Sequence, residues 1–118
     1  MRLTVLQLSK FRSIQERIRT FNQELDKNFM KEPLVKIFES EMNENKVILE
    51  NMFADTDSKD EKISILLHLI RIGGLMLISN TYKPLNAVND YCRHTEIAFK
   101  IEPKDPLIII REEHDCLT

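Results

Sequence analysis

The sequence predicts an all-α fold, an antiparallel four-helix bundle with additional terminal helical segments. Three observations carry that prediction. Apolar residues recur at alternating spacings of three and four over most of the chain, the period of a helix face. Glycine occurs twice and proline four times in 118 residues, which leaves little material for the tight turns that a β-sheet needs. No Asn-Gly or Asp-Gly pair marks a hairpin. A chain of this length buries one core and not two, so residues 1–118 are read as a single helical domain.

The first stripe is Phe11, Ile14, Ile18, Phe21 and Leu25, with Ser9 as a candidate N-cap, which predicts a helix over about 9–30. The stripe is short and breaks at Asn28, so it is read as intramolecular core rather than a coiled-coil seam. Pro33 suits the first turn of a second helix, where its missing N–H costs nothing. Leu34, Ile37, Met42, Asn45, Ile48 and Met52 carry that helix to about residue 54. The polar run "ADTDSKDE" then turns the chain. Within it Ser58 and Glu61 have the spacing of a capping box, which predicts a third helix over about 59–79. Leu85, Val88, Tyr91 and Thr95 predict a fourth from Pro84 to about Phe99. In the tail, Asp105-Pro106 reads as the start of a further short helix, against the strand preference of the three isoleucines that follow.

Composition excludes several function classes. The net charge is −2 with both signs interspersed, so the concentrated basic face of a nucleic-acid binder is missing. Cys92 and Cys116 form no CxxC pair and are too few for a disulfide scaffold, which suits a reduced, cytoplasmic setting. Gln7, Ser9 and Lys10 interrupt the N-terminal apolar run before it resembles a secretory leader. The window Ile63 to Ile78 is short for a membrane span and has Arg71 near its middle, so no membrane segment is expected. His94, His114, Asp115 and Cys116 lack metal-ligand spacing, Gly73-Gly74 lacks a phosphate-loop context, and no Ser or Cys has an identifiable base.

One stretch stands apart, "KISILLHLIRIGGLMLIS" from Lys62 to Ser79. Helix residues advance about 100° each, which puts Ile63, Leu66, Leu67, Ile70, Gly74 and Leu77 on one side, the expected core face. His68 lies well around from it, among Ile65, Leu69, Ile72, Leu75 and Met76, with Arg71 one turn along. If each bundle helix keeps an outer face, this second patch meets solvent or a partner. Each glycine costs about 1 kcal/mol of helix stability against alanine, so the pair implies close approach of a neighbouring helix or a ligand.

On these residues "HLIRIGG" resembles the active-site helix of histidine phosphotransfer (HPt) domains: a histidine, a basic residue three positions later, then small residues, all in an apolar helix. The upstream segment "NFMKEPLVKIFESEMNENKVILENM" is similar to the helix that precedes it in that family, so an HPt-like core spans about 26–100. Arginine stands where lysine is more typical, and Ile72 where a small residue is.

The resemblance implies a phosphoryl carrier rather than an enzyme in its own right. His68 would be the phospho-acceptor, its imidazole taking a phosphoryl group from a phospho-aspartate and passing it to another. Arg71 would steady the phosphoryl oxygens. Ile65, Leu69, Ile72, Leu75 and Gly73 would bind the partner, a response-regulator receiver domain or a hybrid histidine kinase. No cofactor is expected on this chain, because the receiver supplies the magnesium ion. The alternative is a catalytically silent bundle, an adaptor or inhibitor that binds a partner protein through an apolar surface.

Overall fold

The computed structural model describes residues 1–26, 32–79 and 84–102, and these form four helices joined end to end. They are α1 (Val5–Asp26), α2 (Glu32–Asp55), α3 (Lys59–Ser79) and α4 (Pro84–Ile101). No strand occurs among the described residues. The short helix read from Asp105 onward lies outside them.

The helix ends follow from local chemistry. α1 begins four residues before Ser9, because Thr4 and Gln7 close a reciprocal cap. The Gln7 N–H donates to Thr4 Oγ1 at 3.1 Å, and the Thr4 N–H donates to Gln7 Oε1 at 2.9 Å. Pro33 falls in the first turn of α2, as the sequence predicts. At the start of α3 only half of the anticipated box forms. The Glu61 N–H donates to Ser58 Oγ at 3.4 Å, but the Glu61 carboxylate turns away to accept from the Leu3 N–H at 3.0 Å and the Thr56 hydroxyl at 2.6 Å. Thr56, fully buried, also accepts from the Ser58 N–H at 3.1 Å. That hydroxyl thus satisfies the α2–α3 turn from inside.

Successive helices run antiparallel. Arg17 of α1 pairs with Glu41 of α2 early in the second helix, and Gln7 reaches Asp55 at its end. Ser79, at the end of α3, donates to Glu39 near the start of α2 at 3.1 Å. Lys59 at the start of α3 pairs with Glu102 just past α4 at 3.0 Å.

The helices are not equivalent. α3 touches all three others, most extensively α4, so it is the central element. Every residue from Ile65 to Ile70 is buried, as are Ile72, Gly73, Leu75 and Met76. α3 is the one described helix long and apolar enough to cross a bilayer by length and composition. Here that apolarity faces three other helices, as a helix hydrophobic all round is expected to do. Around it, Ile14, Ile18 and Phe21 of α1 and Phe38, Met42 and Leu49 of α2 complete the core. Phe21 stacks on Phe38 with ring centres 4.9 Å apart, and the Arg17 guanidinium covers the outer side of Phe38.

Candidate functional site

The helical period places His68 seven residues after Glu61, on the side of α3 that meets α1. Three contacts define that seam in register: Leu3 with Glu61, Phe11 with His68, and Asn22 with Arg71. The outward face expected for His68 is therefore corrected: the ring is only 4% exposed. Its Nδ1–H donates to the Ser64 carbonyl one turn back at 2.7 Å. Phe11 meets the ring edge-on, with centres 4.7 Å apart and planes at 68°.

This bond sets the tautomer. A carbonyl oxygen can only accept, so Nδ1 carries the proton and Nε2 carries the lone pair. Nε2 is enclosed and has no hydrogen-bond partner. Burial pushes the imidazole pKa below its ordinary value, against the smaller upward pull of the Ser64 carbonyl. The ring is thus neutral, with its nucleophilic nitrogen sealed against solvent.

Arg71 does not stand beside that nitrogen as an anion clamp. Its Nη2 donates to Asn22 Oδ1 at 2.7 Å, near the far end of α1. The apolar ring expected around the histidine is likewise interior: Ile65 and Leu75 are 1% exposed, Leu69 2% and Ile72 3%. Gly73 faces α4, where an added Cβ would lie 3.3 Å from Tyr91 Cβ. The close approach implied by the glycine pair is therefore helix packing at Gly73, while Gly74 faces open space. Of the side assigned to the core, Ile63, Gly74 and Leu77 are only partly buried. The physical reason is shared: three helices surround α3, so its supposed outer face became the α1, α2 and α4 seams.

The open apolar surface lies elsewhere, between α1 and α2. A groove of about 630 Å³ runs between Leu6, Lys10 and Ser13 on one side and Ile48, Met52 and Asp55 on the other. Ser9 and Ser13 leave room that larger residues would fill, and Gln7 Nε2 donates to Asp55 Oδ2 at 3.0 Å across one end. Leu6 is 82% exposed and Val5 86% exposed at its mouth. Each helix contributes about two turns to the walls, so the groove is roughly 10 Å long. Sequence reasoning missed this face because it began α1 at Ser9, which left Val5 and Leu6 outside any helix.

Among the described residues, no group of three or more His, Cys, Asp or Glu side chains converges as a metal site. Comparison with family models, with curated proteins and with solved structures found no match to this chain.

Proposed function

We propose that this bundle is a protein-interaction module, an adaptor or inhibitor, that takes an amphipathic helix of a partner protein into the α1–α2 groove. The observation that carries the proposal is the groove itself: an open apolar trough with Leu6, Ile48 and Met52 along it and Lys10 and Asp55 on opposite walls. A trough two turns long between two helices suits a third helix laid along it, anchored by apolar residues at i, i+3 or i+4, and i+7. Opposite charges on the two walls give the guest a preferred direction.

The burial of His68 supports the same reading over phosphotransfer. A receiver domain must bring its aspartyl phosphate into line with an imidazole lone pair, and here that lone pair is enclosed behind Phe11. A phosphorelay role through His68 and Arg71 would require α1 to leave α3, breaking both the Phe11 and the Asn22 contacts.

Two assays on the full chain test the proposal. Helical peptides selected by display for binding should perturb the amide resonances of Leu6, Ser13, Ile48 and Met52, and Leu6→Asp should abolish the binding. Incubation with phosphorylated receiver domains should place no acid-labile phosphoryl group on the chain. Selected peptides that map elsewhere would overturn the groove, and a label lost in His68→Gln would restore the phosphorelay reading.

A further inference from the structure

The seam between α2 and α4 contains a second concavity, independent of the groove above. These two helices make little direct contact, and α3 shows between them. Leu66 and Leu69 of α3 form an apolar floor, with Phe53 of α2 and Ile97 of α4 as walls. The enclosed volume is about 170 Å³. An apolar cavity of about 150 Å³ holds one benzene ring, so the space matches a single six-membered ring.

The mouth is polar and balanced. Lys46 pairs with Asp90 at 2.7 Å, and Arg93 lies 3.3 Å from both Glu50 and Asp90. Two cations and two carboxylates thus cancel, which leaves no charge for an ionic ligand to neutralise. His94 lines the same cleft at 3% exposure. An Arg93 N–H lies 3.4 Å from its Nε2, and since a guanidinium only donates, Nε2 accepts and Nδ1 carries the proton. Nδ1 is buried with no hydrogen-bond partner. A buried donor left unmatched is costly, and such groups mark sites that an acceptor from outside would satisfy.

From the apolar floor, the one-ring volume and the unmatched imidazole donor, we propose that the α2–α4 cleft binds a small uncharged aromatic molecule bearing one hydrogen-bonding group, the class of phenols. The ring would rest on Leu66 and Leu69. The oxygen would sit at the mouth, where it can accept from His94 and donate to Glu50.

Titration of the full chain with phenol, toluene and benzoate, followed by methyl and amide resonances, tests the proposal. Phenol should bind saturably and about fivefold more tightly than toluene, the factor that one net hydrogen bond supplies. Benzoate should bind more weakly than phenol, because it brings an uncompensated charge into a neutral mouth. In the unsubstituted protein, phenol ring protons should show cross-relaxation to the Leu66 and Leu69 methyls, and His94→Leu should erase the preference for phenol over toluene. Equal affinity for phenol and toluene, tighter binding of benzoate, no saturable binding, or shifts centred on Leu6 and Met52 would each overturn it.

Discussion

The imidazole of His68 and the carbonyl of Ser64 lie 2.7 Å apart, one helical turn from each other, and that bond decides what the histidine can do. It holds the proton on Nδ1 and leaves Nε2 as a buried acceptor that nothing meets. A histidine in this state is a core residue with one satisfied and one unsatisfied nitrogen. Its first consequence is energetic.

His68→Leu should leave the fold intact and its stability unchanged or raised by up to about 1 kcal/mol. The Ser64 carbonyl keeps its backbone helix bond, while the orphan acceptor and its desolvation penalty of about 1–3 kcal/mol disappear. Loss of the Phe11 ring contact, about 0.5–1.5 kcal/mol, offsets part of that gain. Urea denaturation at pH 7.5 checks it. A loss above about 2 kcal/mol would mean that Nε2 has a partner.

Stability should fall as pH drops below about 6.5. His68 and His94 both have folded pKa values below the ordinary histidine value, His68 through burial and His94 through burial and the adjoining Arg93 cation. The unfolded chain therefore binds more protons in this window, so stability is full above about 6.5 and is lost as pH falls toward the folded values. Each histidine contributes a slope of at most about 1.4 kcal/mol per pH unit. Urea midpoints between pH 7.5 and 5 should decline, and less steeply in His68→Leu. A flat profile would contradict the burial of both rings.

The two adjacent glycines should respond oppositely to substitution. Gly74→Ala places a methyl group in open space within a helix and should stabilise by about 0.5–1 kcal/mol. Gly73→Val pushes branched carbons into Tyr91, whose Cβ lies 3.3 Å from even the first added atom, and should destabilise by about 1–3 kcal/mol. Thermal melts of the pair against the parent chain read the difference.

Thr56→Val should cost about 1–3 kcal/mol. The hydroxyl is fully buried and serves both the Glu61 carboxylate and the Ser58 N–H, and valine keeps its shape while orphaning both partners. The Thr56 hydroxyl and the Leu3 N–H also hold the Glu61 pKa below the usual carboxylate range. The substitution should therefore raise that pKa, which carboxyl resonances followed between pH 2 and 6 would show.

Much of the architecture was legible in the residues. The "ADTDSKDE" run and the Ser58 cap placed α3 at Lys59–Ser79, and Pro84 marked the start of α4, because turn and cap chemistry act locally. The start of α1 was legible too, in the Thr4–Gln7 pair, but "TVLQL" also carries β-branched character that obscured it. The site was misplaced for a non-local reason. A helical wheel sorts residues by angle, yet which angles face solvent depends on how many helices surround the one in question. For α3 the answer is three, and the signal was its apolarity on every side, which argues for a central helix rather than one with a docking face. The groove was hidden because it belongs to two helices at once.

The most direct test of the account is the protonation state of the His68 ring, read by long-range proton–nitrogen correlation across pH 5 to 8. The account predicts a single Nδ1–H tautomer, bonded to Ser64, that stays neutral well below pH 6.5. A ring that favours Nε2–H, as imidazoles do in water, and titrates near 6.5 would show His68 open to solvent and contradict the central claim.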